Sequence, residues 1–507
     1  MNTPHPPLLS RRSSGVLLHI TSLPGHHGSG DLGASARHFV DWLAAAGQTL
    51  WQILPHTPAG PGNSPYHSVS AFAGNPLMVD LEELVQRGWL PWMPRQGFDH
   101  HRCDFGRITP YRMQALRDAW RGFQHKAHDA DWHALQSFSD EQANWLPDYA
   151  LFMVLEQRFG APWTTWPQAL AQRDGQALDA LRHEAGDELG FWRFVQWRFW
   201  CQWMALRTYG RQQGVHLVGD APIFVSHHSA DVWVRPHEFQ LDAQGQPIDV
   251  AGVPPDYFSK TGQRWGNPLY NWPAMAANRY DWWTARMAHL FRLVDVVRVD
   301  HFRGFEAYWA IPASEPTAIQ GSWQPGPGQA FFDTLRERLC KDRGELPIIA
   351  EDLGLITPQV TALREACSMP GMRILQFAFG GGADNPYLPH NHQPDAVTYT
   401  GTHDNDTTLG WWAHARAAER THAQAYLGPH IDAEPHWALM RAASQTVART
   451  VIFPFQDVLG LDARHRMNTP GLAEGCWEWR FDWPQVGHLP AERLRAMTVA
   501  HGRGPQH

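Results

Sequence analysis

Val294-Asp295-Val296-Val297-Arg298-Val299-Asp300-His301-Phe302-Arg303-Gly304 is a β-branched run that ends on a carboxylate and then breaks at a glycine. A short apolar run of this kind reads as a buried strand, and an acid at its end is how a parallel barrel delivers charge to its catalytic rim. The pattern recurs downstream in Ile349-Ala350-Glu351-Asp352-Leu353-Gly354 and, after the run 396–400, in Gly401-Thr402-His403-Asp404-Asn405-Asp406. A single strand-end acid is equally well explained as a helix cap or a salt-bridge partner. Three of them point to carboxylate chemistry on a shared substrate.

Outward from these acids, apolar runs bounded by turn signals recur at 16–20, 50–54, 215–218, 294–299, 346–350, 374–379, 396–400 and 451–455, which makes eight candidate strands. Helical patterns follow the fourth and fifth runs at 328–342 and 358–366, with Thr357 as the N-cap and Pro358 in the first turn of the latter. Strand alternating with helix predicts an α/β fold, and eight units predict a (β/α)8 TIM barrel. The spacing is uneven: roughly 160 residues separate the second and third runs, far more than one crossover helix requires.

An insertion over about 56–210 is therefore expected. It should be mainly helical, with helices opening at Thr109-Pro110, spanning 148–159, and buried on most sides over 191–206. A second insertion over about 226–292 is rich in Gly, Pro and aromatics, as functional lids and binding loops are. The reading is one catalytic domain over 1–507 that carries both.

Composition narrows the function. A formal net charge of −8 with no Lys/Arg block gives no footprint for nucleic acid or an anionic membrane. The five cysteines, Cys103, Cys201, Cys340, Cys367 and Cys476, include no CxxC pair, which argues against a disulfide framework or zinc ribbon and for a reducing cytoplasm. Arg11-Arg12 is similar to a twin-arginine signal, but the apolar stretch behind it stops at Thr21-Ser22-Leu23-Pro24 and reads as the first core strand. No stretch approaches the roughly 18 to 20 apolar residues that span a bilayer. The 26 Trp favour a carbohydrate-facing protein only mildly, since indole fills cores as readily as it stacks on sugars.

Cleaving a glycosidic bond needs one group to protonate the leaving oxygen and one to capture the charge that develops at the anomeric carbon. Asp300 and Glu351 close adjacent candidate strands and form the natural pair. In a retaining site such carboxyls lie about 5 to 5.5 Å apart and one becomes a covalent nucleophile. Arg298 shares a strand face with Asp300 by the period-two rule and would hold it ionised. Glu351, as acid, needs a raised pKa, which neighbouring negative charge supplies. Asp404 would lie across the mouth, with His403 beside it as a hydrogen-bond donor. Asp352 should point to the opposite face and be structural.

The chain resembles the amylomaltases, the 4-α-glucanotransferases of glycoside hydrolase family 77 within the α-amylase clan. The resemblance runs from Leu17-Leu18-His19-Ile20-Thr21-Ser22-Leu23-Pro24-Gly25 almost to Trp477-Glu478-Trp479-Arg480. It includes a substrate loop, Ser64-Pro65-Tyr66-His67-Ser68-Val69-Ser70-Ala71-Phe72-Ala73-Gly74-Asn75-Pro76, and an active-site lid, Phe258-Ser259-Lys260-Thr261-Gly262-Gln263-Arg264-Trp265-Gly266-Asn267-Pro268-Leu269-Tyr270.

The resemblance implies Asp300 as nucleophile, Glu351 as acid/base and Asp404 as transition-state stabiliser. It also implies that Asp220, Arg298, His301 and His403 line the cleavage subsite. Tyr66, Asp256, Gln263, Trp265 and Asn468 would contact neighbouring glucose units. Ser64, Asn75 and Gln456 are divided between substrate contact and loop support. Substrates would be α-1,4-glucans and maltooligosaccharides, with glucose or a maltooligosaccharide as acceptor, no cofactor, no metal, and a monomer or weak homo-oligomer. His56, Pro61, Cys476 and the pair His227-His228 depart from the family pattern.

Three rival readings remain. An α-glucan hydrolase would use the same acids and differ in letting water intercept the glycosyl-enzyme. A metal enzyme would draw on the 30 His and on Asp99-His100-His101-Arg102-Cys103-Asp104, but no HExxH or paired CxxC supports it. A noncatalytic glucan-binding protein would gain nothing from three converging acids, which cost desolvation.

Overall fold

The computed structural model describes residues 8–94, 96–255, 259–340 and 344–505. In chain order the strands are β1 (Ser13–Leu17), β2 (Leu50–Gln52), β3 (His216–Pro222), β4 (Asp249–Val253), β5 (Gln263–Pro268), β6 (Val296–Asp300), β7 (Ala307–Pro312), β8 (Ser322–Pro325), β9 (Ile348–Ala350), β10 (Gly371–Ile374), β11 (Ala396–Tyr399) and β12 (Thr450–Pro454). Eight of them close into a barrel in the order β1-β12-β11-β10-β9-β6-β3-β2, with parallel neighbours throughout. Parallel strands covered on both faces are apolar without alternation, and β6 accordingly buries every residue from Val296 to Val299, leaving Asp300 half-buried at the rim. The seam between β1 and β2 is tight. A Cβ at Gly15 would lie 2.5 Å from Leu50 Cβ, so the seam requires a glycine.

Two barrel strands begin earlier than the apolar runs suggest. The first is Ser13–Leu17 rather than 16–20: Leu18 N–H donates to Gln52 O and the chain then coils into a 3-10 turn at Ile20–Ser22. The sixth is Gly371–Ile374 rather than 374–379, and Leu375–Phe377 is again a 3-10 turn. Met369-Pro370-Gly371 reads as a turn, yet the glycine is in the strand because Asp352 packs against it; a Cβ there would meet Asp352 Oδ2 at 2.3 Å. Met372 N–H donates to Asp352 Oδ1 (2.7 Å) and Arg364 and Arg373 flank the carboxylate, so Asp352 is the structural acid of its pair.

The segment between β2 and β3 is mainly helical. Its first long helix, Phe105–Lys126, begins before Thr109-Pro110, with Asp104 Oδ1 accepting from Arg107 N–H. Pro110 is tolerated inside it because the carbonyl it leaves unbonded belongs to Gly106, which is exposed to water. Leu146–Phe159 and Gly186–Gln212 follow; the latter buries residues all round, and Trp203 Nε1–H ties it to Leu293 O (2.9 Å). Helices Gly186–Gln212 and Asp281–Leu293 run directly into β3 and β6, so the last helix of each long gap is also a barrel crossover. Pro358–Ala366 matches its sequence reading to the residue, and Thr357 Oγ1 accepts from Val360 N–H.

The second gap is more ordered than a loop. β4 and β5 join β7 and β8 in an antiparallel sheet of order β5-β4-β7-β8. β7 and β8 have no counterpart in the sequence reading; β7 lies inside the sheet and buries Tyr308, Ala310 and Ile311, whereas all four residues of the edge strand β8 are exposed, so it shows no apolar alternation. Among the described residues no helix is long and apolar enough to cross a membrane.

Candidate active site

Register builds the site. Asp220 on β3 lies opposite Arg298 on β6, and Arg298, two residues before Asp300, projects to the same side. Arg298 Nη1–H donates to Asp220 Oδ1 (2.9 Å) and Oδ2 (2.8 Å), and Nη2–H to Asp300 Oδ1 (2.9 Å). With Arg298 only 3 % exposed, this is a desolvated bridge between two carboxylates.

After Asp300 the chain turns through His301, whose φ of 58° is left-handed. That turn presents the His301 N–H to Glu351 Oε2 (2.8 Å), while Leu353 N–H donates to Oε1 (3.0 Å). Glu351 is thus fixed by backbone donors, one residue past the end of β9, the strand next to β6.

Asp404 comes from the loop after β11. Asn405 Oδ1 accepts from Thr402 N–H (2.8 Å), and Thr402 Oγ1 from Asp404 N–H (3.2 Å). Asn468 Nδ2–H donates to Asp404 Oδ1 (2.6 Å), and His403 Nε2 lies 3.4 Å from Oδ2. Tyr66 joins the two halves: its hydroxyl donates to Asp220 Oδ2 (2.8 Å) and lies 2.8 Å from His403 Nε2. A phenol proton committed to a carboxylate leaves a lone pair for the imidazole, so His403 carries its proton on Nε2. The Tyr66 and His403 rings stack at 5.4 Å.

Asp300, Glu351, Asp404, Asp220, Arg298, His301, His403, Tyr66 and Asn468 are therefore linked in one constellation. Chains of this sequence form a recognised group: the family model described as 4-alpha-glucanotransferase matches residues 18–485. The chain belongs to the 4-alpha-glucanotransferase family. It is 46 % identical over 500 residues to the 4-alpha-glucanotransferase of Thermus thermophilus, covering 97 % of this chain and 99 % of that one. The Synechocystis 4-alpha-glucanotransferase is 43 % identical over 506 residues, covering 99 % and 100 %. In structure it superposes on the amylomaltase from Streptococcus agalactiae in complex with acarbose with a TM-score of 0.94 at 35 % identity, covering 98 % and 100 %.

In this glucanotransferase the two facing acids differ electrostatically. Burial, and then the charge of Asp300, push the Glu351 carboxyl up to about 8 against the opposing pull of Arg298 and two backbone N–H groups. Burial also raises Asp300, but Arg298 touches it directly and opposes the shift. Burial and the Asp300 charge thus favour the protonated form of Glu351, while the direct contact with Arg298 favours the ionised form of Asp300. Burial lowers His301 to about 3, which keeps its ring neutral.

The lid strand β5 brings Trp265 edge-on to His301 at 4.8 Å, and Gln263 Oε1 accepts from Trp265 Nε1–H (3.1 Å). Asp256 lies outside the described residues. Ser64, Asn75 and Gln456 make loop contacts: Ser64 Oγ accepts from Tyr66 N–H, Asn75 Oδ1 from Leu77 N–H, and Gln456 donates to His465 O.

Of the departures from the family pattern, His56, His227, His228 and Cys476 make packing or hydrogen-bond contacts, and nothing in the structure explains the exposed Pro61. His56 is buried between Phe199 and Trp203. His227 and His228 fasten the helical insertion: Trp163 Nε1–H donates to His227 O, Trp163 N–H to His228 Nδ1, and His228 Nε2 faces Glu156. Cys476 Sγ accepts from Thr469 N–H and steadies the loop that carries Asn468. The Asp99 to Asp104 cluster is dispersed, with His100 against Asp482 and Asp104 capping a helix.

Sequence reasoning missed Trp477 and His19 as site residues. Trp477, in a left-handed backbone conformation (φ 69°), packs its ring against both Tyr66 and His403. His19 lines a cavity of about 20 Å³ with His403, Asp406 and Trp479. Each of these four side chains has a buried polar atom without a protein partner, and the cavity has room for about one water. The signal for His19 was its place at the end of the first barrel strand, where an apolar run is interrupted by imidazole.

Proposed function

We propose that this chain transfers α-1,4-glucan segments from a maltooligosaccharide or starch-type donor to glucose or another maltooligosaccharide, by double displacement at Asp300 and Glu351. Glu351 gives its proton to the glycosidic oxygen as the bond to the anomeric carbon breaks, and Asp300 Oδ attacks that carbon to form a glycosyl ester. The shortened chain departs. The acceptor 4-hydroxyl then loses its proton to Glu351 and displaces Asp300, so the α-linkage is restored. Asp404, held by Asn468 and facing His403, would hold the sugar as its ring flattens toward the oxocarbenium-like transition state.

The observation that carries this reading is the unequal treatment of two neighbouring acids. Arg298 bonds Asp300, whereas Glu351 has only neutral N–H donors and is pushed up to about 8. One acid is kept ionised and one protonated near neutral pH, as a nucleophile and a general acid require.

Incubation with maltotriose tests transfer against hydrolysis. Transfer yields glucose and longer oligosaccharides at a constant number of reducing ends. Reducing ends that climb with turnover would overturn the transfer reading.

The raised Glu351 also predicts pH behaviour. Its protonated form is the acid of the first step, so activity should fall on the alkaline side of about pH 8. For stability the sign is the same: the folded protein keeps a proton that the unfolded chain, with an ordinary Glu, releases above about pH 4.3. Stability is therefore lost as pH rises from there through about 8. Glu351→Gln should abolish turnover while weakening this pH dependence, seen as a smaller loss of thermal midpoint between pH 5 and pH 8. An unchanged midpoint profile would place the buried proton elsewhere.

Four of the five cysteines are buried and the sequence has no CxxC pair, which supports a cytoplasmic location.

A further inference from the structure

The acids choose the bond to be broken, but nothing in them selects the length of the chain that leaves or arrives. A candidate lies on the small sheet. Arg303, three residues after Asp300 and 5 % exposed, donates from Nη1 to Leu355 O and from Nε to Ala307 O (3.4 Å). Its guanidinium carbon sits 3.9 Å from the ring centroid of Trp323 in the middle of β8. Trp309, directly opposite on β7, meets the same indole edge-on at 5.3 Å.

Trp323 is therefore held by a cation over its ring and by a second indole packed at a steep angle to it, yet remains 38 % exposed. Leu355, 64 % exposed, lies on the loop that begins at Glu351, and Leu353 of that loop donates to the Glu351 carboxylate. Arg303 thus joins three things into one rigid unit: the end of the nucleophile loop, the loop of the acid/base, and an open indole.

We propose that Trp323, with Leu355, is a stacking site for the glucan chain on the acceptor side, taking a glucose ring further along than the one that bears the reacting hydroxyl. The inference rests on Glu351 being the acid/base. That group protonates the departing oxygen and deprotonates the arriving one, so both chains lie on its outer side, where its loop continues to Leu355. The occupant is an α-1,4-glucan because Arg303 ties the indole both to the strand end of Asp300 and to the loop of Glu351, and the C–H face of glucose is apolar enough to cover an indole. The cation beneath fixes the ring in advance, so little conformational freedom is lost when a sugar lands on it.

The experiment compares Trp323→Ala and Trp323→Phe with the wild type, using a fixed donor and either glucose or maltopentaose as acceptor. Trp323→Ala should raise KM for maltopentaose about 3- to 10-fold, the span of one aromatic contact. It should leave kcat and the KM for glucose unchanged, and Trp323→Phe should recover most of the loss. No change with maltopentaose would overturn the proposal. So would an equal loss with both acceptors, which would mark Trp323 as a support for the sheet. The donor series maltotriose to maltoheptaose separates this from the reaction itself, because the leaving chain uses the same side. If the wild type proved to release glycosyl groups to water, the transfer reading would fall, while the length dependence of KM in that series would still decide the role of Trp323.

Discussion

Asp300→Asn is expected to reduce turnover by about 10⁴- to 10⁶-fold, the range seen when a covalent nucleophile is removed and binding is left intact. The substitution is close to isosteric, and the amide oxygen it introduces can still accept the Arg298 Nη2–H that Asp300 Oδ1 accepts at 2.9 Å. Maltoheptaose binding measured by calorimetry should therefore persist within a few-fold. A second readout is independent of activity: removing the Asp300 charge withdraws one of the two causes that push Glu351 up to about 8, so Glu351 should titrate lower in the variant. Carbon NMR of the labelled Glu351 carboxyl reports this directly. Turnover retained near the wild-type level would remove Asp300 as nucleophile, and a Glu351 titration that does not move would separate the two acids.

The barrel was legible because its strands are buried on both faces and so read as unbroken β-branched runs; β6 is the extreme case, and its acid falls at the rim as expected. β10 was displaced because the residue that starts it is a glycine behind a proline, and its reason for being there, the carboxylate of Asp352, is a tertiary contact. β8 was invisible for a different reason: an exposed four-residue edge strand buries no face of its own, so no periodicity records it.

Among site residues, Asp300, Glu351 and Asp404 could be found from their position at strand ends, and Arg298 from the two-residue strand period. Asp220 could be read only through resemblance: it lies within its strand rather than at the end, and its meaning comes from the register that sets it opposite Arg298. Trp477 carries no local signal at all. Its role depends on a left-handed backbone and on two rings from distant loops.

Arg298 is the residue whose loss should be felt in both stability and rate. Its guanidinium spans Asp220 and Asp300 with separate nitrogens, a geometry that a planar fork provides and a single ammonium does not. Arg298→Met leaves two facing carboxylates at a desolvated site without their common counter-charge. Breaking a buried pair in this way costs about 3 to 5 kcal/mol, so the variant should lose its fold at markedly lower temperature, read as a shortened half-life where unfolding is irreversible.

Arg298→Lys separates charge from geometry. The ammonium can remain with Asp220, whose two oxygens both face the guanidinium, at the expense of the contact to Asp300. Without that contact, the burial that already raises Asp300 is less opposed, so its pKa should rise further. The sign follows: the nucleophile must be ionised, so the acid limb of the pH–rate profile should move to higher pH. Loss of a charge-assisted hydrogen bond of about 1.5 to 3 kcal/mol corresponds to roughly a 10- to 100-fold fall in kcat, with KM changed less than kcat. The Lys variant should retain most of the thermal stability that Met loses. An acid limb that stays in place while kcat falls would mean that Arg298 acts by positioning Asp220 and Tyr66, and that the ionisation of Asp300 is maintained by other groups.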